Sequence, residues 1–400
     1  MSLRHPEFAM TTDLSTRDLF SVDLAAIVHP CAGWLAPTAA VTNHEHIGFE
    51  LGWDHAHHGS TPPAPYAQEP SPLRNGWLAG ATTFGKRTLT PTAAVRQWLQ
   101  LRLHAWLRGR SVELFQVTPH HLRQLAVTHC PITREVLDHP ADSACRASID
   151  RVRHDAGYAG GNLALMSARA NRAKAAHGFE SAIEIARRLE TEAARGNAAA
   201  PQHEGLNAAQ WGRIAVLCSY VAPLPHARAC ELPLLVLPPN RLRQFNPAQA
   251  LQAFISRQLL SPGWSQRINA IEALLPRQAA RRAFRSFFQT LLPRVLEAGR
   301  PTDPQRARWA IEDAWGHAVV MQRWVRFASM LNAAQCESLL SRAVADRLLP
   351  DGLRIEPLAD ADATEGWCLD TKGYVPHGMS RHELQQRLPW GGAPVGTTLH

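Results

Sequence analysis

Apolar residues recur at three- and four-residue spacing through most of the chain after residue 90. In PTAAVRQWLQLRLHAWLRGR, Val95, Trp98, Leu99, Leu103, Trp106 and Leu107 fall on one stripe. That spacing predicts a helix entered through Pro91, N-capped by Thr90 and ended by Gly109. Arg96, Arg102 and Arg108 lie mostly off the stripe, as either a solvated face or one turned toward nucleic acid. Residues 1–85, by contrast, hold many Pro, Gly and His residues and only short apolar runs, a loop-rich pattern. Leu125–Leu137 reads as a strand and turn, Ser148–Arg153 as a short strand, Asp155–Gly161 as a turn and Leu163–Ala175 as a helix. The charged stretch FESAIEIARRLETEAARG continues as helix, and small residues with Pro and Gly at Gly196–Gly205 mark a linker. From Leu206 to about Leu349 the apolar faces keep a helical period with Pro between them, and the last fifty residues are turn-rich and mixed.

The pattern divides the chain into a loop-rich region (1–85), a basic helix followed by a small α+β module (86–196), and a helical domain with an irregular tail (206–400). The fold class is mainly α with that small module embedded and a helical C-terminal half. At 400 residues, 45% hydrophobic and 19% charged, the composition is that of a globular chain with material for two or three cores.

A net charge of +8 favours a polyanionic partner such as nucleic acid. Only Lys86, Lys174 and Lys372 are lysines among the 42 basic residues, so arginine carries nearly all the positive charge. Abundant Ala, Arg and Pro also fit GC-rich coding, so the charge supports nucleic acid without deciding it. The seven cysteines are scattered with no CxxC, which reads as reduced thiols in a cytoplasmic protein and gives no basis for structural zinc. The N-terminal residues lack an apolar leader and no apolar run approaches 18 residues, so no membrane partner is expected.

Chemistry concentrates in ASIDRVRHDAGYAGGNLALMSARANRAK, Ala147–Lys174. Asp150-Arg151 is followed by Asn162, and Asn171 stands nine positions after that. These spacings, with Cys-Pro-Ile-Thr upstream, Ser-Ile-Asp-Arg-Val, Gly-Tyr-x-x-Gly-Asn-Leu and Ala-Asn-Arg-Ala-Lys, resemble the HNH endonucleases, and within them a phage and mobile-element subgroup. The resemblance covers His129 to about Gly178. It implies a ββα-metal module in which Asp150 and Asn171 hold Mg²⁺ or Mn²⁺, a hard cation suited to oxygen donors. It also implies that Asn162 fixes the loop. Arg151 occupies the place of the general-base His, and a guanidinium cannot give up its proton near neutrality. His154 is the nearest imidazole that could act instead, with His129 and His177 further off. Cys130 and Thr133, then Ser167 and Ala170, stand where a zinc knuckle would have paired cysteines. Arg151, Arg153, Arg172 and Lys174 suit phosphate contact, with Arg146 and Arg169 beside them.

Elsewhere, His44, His46, His55, His57 and His58 cluster without HExxH or any other recognisable ligand spacing. Arg277, Arg281 and Arg285 recur every four residues as a basic ridge, either solvated or facing DNA. No Walker A, dinucleotide loop or nucleophile elbow occurs. Three functions remain open: a metal-dependent endonuclease acting on nucleic acid, DNA first; a non-catalytic DNA-binding or assembly protein with a degenerate HNH-like scaffold; or a helical protein–protein adaptor whose basic charge is compositional drift.

Overall fold

Two helices occupy the described part, 42–85, of the stretch whose composition reads as loop, and residues 1–41 of it lie outside the described residues. In the computed structural model, which describes residues 42–138, 143–196, 200–237, 245–259, 262–297, 303–348 and 360–375, α1 spans Asn43–His57 and α2 spans Pro72–Phe84. Thr42 and Glu45 form a capping box that starts α1, and Pro72 sits in the first turn of α2. Their apolar stripes are interrupted by glycine, and the packing shows why. A Cβ on Gly52 would lie 1.9 Å from the Leu73 carbonyl oxygen, and one on Gly76 would lie 1.9 Å from that of Phe49. The two backbones touch there, so the residues that look like turn formers are the contact itself.

Helix α3, Ala93–Leu107, closes this layer over Leu51, Leu73, Leu99 and Trp106. Its cap is Thr92, whose hydroxyl accepts from Val95 N at 3.3 Å, two residues beyond the position the stripe indicates. Arg102 is not on an outward basic side: it is buried, bonded to Asp54 and stacked 4.4 Å from the Trp98 ring centre. Most of the histidine cluster is absorbed into the same packing, while His46 is exposed and lies 3.2 Å from Glu50. His44 stacks on Trp106 at 4.8 Å, and His55 is buried with neither ring nitrogen hydrogen-bonded. Burial pushes both imidazoles from 6.5 down to about 4; Arg102 adds to the effect at His55, while Glu45 and Asp54 oppose it at His44 and His55 respectively.

After α4, Pro119–Leu125, the expected strand over Leu125–Leu137 is replaced by a tight turn closed by a single bridge between His129 and Val136. The two strands lie later. β1, Ala147–Arg151, pairs antiparallel with β2, Leu163–Ser167, in the register Ser148↔Met166 and Asp150↔Ala164. Only then does α5 begin, Ala168–Lys174, with Ser167 Oγ accepting from Ala170 N at 3.2 Å. The segment Leu163–Ala175 is therefore half strand, because a four-residue apolar run has no period to distinguish strand from helix.

Helices α6, Phe179–Ala194, and α7, Ala208–Ser219, pack on each other and on the sheet. One core runs from Cys130, Val152 and Met166 through Phe179 and Leu189 to Trp211, Leu217 and Trp367. The Gly196–Gly205 segment thus joins two helices of one core and does not separate two cores.

The helical half follows as α8 (His226–Cys230), α9 (Pro247–Gln258), α10 (Trp264–Leu274), α11 (Gln278–Glu297), α12 (Pro304–Trp315), α13 (Ala318–Ala328), α14 (Ala333–Ala345) and α15 (Asp360–Ala363). Phe284, Phe287, Trp315, Trp324 and Phe327 form its aromatic centre, with the Trp315 and Trp324 rings 5.0 Å apart. The arginine ridge of α11 is engaged internally: Arg281 donates to the Ala273 and Leu275 carbonyls that end α10, and Arg285 pairs with Glu272. Arg134, in the turn before β1, reaches α12 and binds Glu312 at 2.9 Å and Asp313 at 2.7 Å, tying the two halves together. Among the described residues no helix is long and apolar enough to cross a membrane.

Two outcomes follow from this packing. Gly76→Ala should cost about 1–3 kcal/mol by forcing α1 and α2 apart. Gly212→Ala, in α7 with open space at its Cβ, should be neutral or gain up to about 1 kcal/mol. Thermal unfolding followed by circular dichroism separates the two. The second outcome concerns acid. His44 and His55 bind a proton more readily unfolded (6.5) than folded (about 4), so their contribution is complete above pH 6.5 and is lost as pH falls toward 4. Each accounts for up to about 3 kcal/mol over that window. His55→Phe should flatten the fall in urea midpoint between pH 6.5 and 4, and an unchanged slope would contradict the assignment.

Candidate nucleic-acid interface around a buried cation

Helix α5 runs back along β1, which places alternate strand residues against one helix face. Two cross-pairs result. The Asn171 side-chain nitrogen donates to Ser148 Oγ at 2.8 Å, and Lys174 Nζ lies 2.9 Å from Asp150 Oδ2. Ser148 and Asp150 share a strand face by the two-residue period, and Asn171 and Lys174 share a helix face by the three-residue one. Asp150 and Asn171 therefore address different partners and not one common point.

Lys174 is fully buried. Its ammonium contacts Asp150 and donates to the Arg151 carbonyl oxygen at 3.2 Å. The contact to Asp150 is Coulombic more than directional, since Oδ2 lacks a well-aligned hydrogen bond. Burial pushes the Asp150 carboxyl upward, and Lys174 followed by Arg151 holds it back. Cys218 of α7 lies within electrostatic reach of both, its thiol pushed up to about 11 by burial. These donors do not fit a divalent ion. The carboxylate that would bind it already faces a fixed positive charge, and the ammonium has no route to water. Lys174 is likewise not a phosphate contact, because no anion in solvent can reach it. Among the described residues no three His, Cys, Asp or Glu side chains gather as metal ligands, the α1 histidines included.

The positions matched to a zinc knuckle do converge. Cys130 Sγ accepts from Thr133 N at 3.4 Å and from Ser167 N at 3.3 Å, while Ser167 Oγ caps Ala170 N. The thiol joins the turn to the start of α5 through the Ser167 N–H, and one sulfur ligand is too few for zinc.

Asn162 is fully buried and closes the β1–β2 loop. Its Oδ1 accepts from Arg153 N at 2.8 Å, and its Nδ2 donates to the Arg153 and Gly157 carbonyls. From outside, Trp367 donates from Nε1 to Gly160 O at 3.0 Å and accepts from Gly157 N at 2.8 Å. The following residues continue as a strap, with Gly373 O accepting from Ser111 N and Val375 N donating to Gly109 O. Trp367 and this strap fall in the turn-rich tail, where sequence pattern gives no signal beyond a lone Trp.

Arg151 donates from Nη1 to the His154 and Ala156 carbonyls, both at 2.9 Å, and lies 5.2 Å from the Tyr158 ring centre. It organises the turn. Arg110 stacks 3.9 Å from the Tyr374 ring centre and feels Arg151 and Arg108, which together with burial push its guanidinium down. Arg108 and Arg146 act on His104, and Arg110, Arg151 and Lys174 act on His154. His154 is exposed at the turn, yet local desolvation followed by these cations lowers it to about 4, with Asp155 opposing. Such an imidazole is neutral at pH 7 but a poor proton acceptor.

Arg108, Arg110, Arg146 and Arg151 have no carboxylate partner among the described residues, and Arg110 feels both Arg108 and Arg151. Arg172 on α5 is exposed and also unpaired. Arg153 is held by Asp155 at 2.9 Å and Arg169 by Glu135 at 2.8 Å, so both are partly neutralised. No protein-family model, curated protein or solved structure matches this chain. The HNH likeness rests on residue spacing within one short segment.

Lys174→Met strands a buried carboxylate and should cost about 3–5 kcal/mol in urea unfolding, and the double variant with Asp150→Asn should recover most of it. The wild-type thermal midpoint should be the same in EDTA and in millimolar Mg²⁺ or Mn²⁺. A metal-dependent rise would return Asp150 to a ligand role.

Proposed function

We propose that the chain binds the phosphodiester backbone of nucleic acid, DNA first, through an HNH-like scaffold that does not cut it. The observation that carries this reading is a set of arginines without carboxylate partners among the described residues: Arg110 and Arg151 act on one another beside the β1–β2 loop, and Arg108 and Arg146 both act on His104. Like charges assembled at that density repel one another, and a polyanion relieves the repulsion. Arg172 extends the same positive potential along α5.

Cutting is the weaker reading for two physical reasons. Asp150 is neutralised from within by Lys174, and Asn171 is turned to Ser148. His154, the nearest imidazole, holds a proton too weakly to serve as a base near neutrality.

Fluorescence anisotropy of labelled DNA against salt tests the proposal. Log affinity should fall linearly with log salt, and Arg108→Ala with Arg146→Ala should reduce the slope by about 1 for each phosphate contact removed. No binding at low salt would discard the reading. Mg²⁺- or Mn²⁺-dependent cleavage that disappears in Asp150→Ala would replace it with the nuclease.

A further inference from the structure

Phe115 is 91% exposed, more than any other large apolar residue among those described, and Leu114 beside it is 44% exposed. An aromatic ring held in water calls for a reason, and its mounting is not loose. The two Glu113 carboxylate oxygens accept from Phe115 N at 2.6 Å and Gln116 N at 2.8 Å, and Glu113 O accepts from Val117 N at 3.2 Å. Glu113 N donates to Tyr158 O at 2.9 Å, and Gly160 has no side chain where the Gln116 amide packs against it. The turn is fixed to the β1–β2 loop and presents its ring outward.

The same strip carries the cations. Arg110 lies five residues before Phe115, at most about 17 Å away. Val112 bridges to Tyr158, whose ring lies beside Arg151. A rigid aromatic face on the same strip as guanidiniums that bond only carbonyls and rings among the described residues matches a ligand with flat apolar surfaces on an anionic chain. Two apolar side chains are too few to anchor a lipid surface or a folded apolar partner, whereas one ring suffices to stack one base.

We propose that Phe115 stacks on an unpaired base whose backbone lies along Arg110 and Arg151, so that the target is single-stranded or locally opened nucleic acid. The inference rests on the backbone-binding reading and adds the structural class of the target.

Full-length protein titrated with a labelled mixed-sequence single strand and with the same sequence as a closed hairpin duplex tests it. The single strand should bind more tightly. Phe115→Ala should weaken single-strand binding about tenfold and leave duplex binding and its salt slope unchanged, while Phe115→Tyr keeps wild-type affinity. Equal binding of the single strand by Phe115→Ala and wild type overturns the proposal, as does an equal loss on both probes. So does a change in sedimentation of Phe115→Ala, which would mean that a second copy covers the ring. Salt-dependent duplex binding would survive any of these results and leave the backbone reading standing; failure of wild type to bind either probe removes that reading as well.

Discussion

The Asp150–Lys174 contact is the constraint around which the module is arranged. It sets α5 against β1, fixes which side chains the strand–helix face can present, and lies within electrostatic reach of Cys218 on α7. A lysine here is informative because arginine supplies nearly all other positive charge in the chain. An ammonium is compact and needs few acceptors, whereas a guanidinium has five donors in a wide plane that this pocket could not satisfy. A buried ion pair adds little net stability over an apolar pair, but removing one partner is costly, so the pair acts as a lock on geometry.

Cys130 makes the same kind of exchange where β2 passes into α5. Its sulfur accepts two backbone N–H groups at the junction of the turn and α5. In both places a group of the chain itself occupies a position that the HNH resemblance would give to a metal. The scaffold is held by a thiol, an ammonium and the Asn162 hydrogen bonds.

How much of this was legible depended on whether a residue acts locally. Asn162 closes a loop of its own neighbours, and the nine-residue step to Asn171 sets a strand, a cap and a helix that do meet. Lys174, by contrast, reads as a surface cation at the end of a short basic helix, and only its tertiary neighbours bury it. Arg102 misled in the same way, since its partner Asp54 lies on another helix. The glycines of α1 and α2 carry the opposite lesson. They disguise two helices as loop because backbone contact, not side-chain periodicity, holds the pair together.

Local periodicity and capping by themselves determined a mainly helical chain, the helices of its second half and a short α+β segment rich in polar groups. That followed because amphipathic spacing and turn residues act within a few positions. Tertiary structure alone decided which charges are neutralised. Lys174, Arg102, Arg134 and Arg285 are each matched by a carboxylate distant in sequence, while Arg108, Arg110, Arg146 and Arg151 have none among the described residues. Charge pairing depends on distances between segments that the fold brings together, and no spacing along the chain contains them.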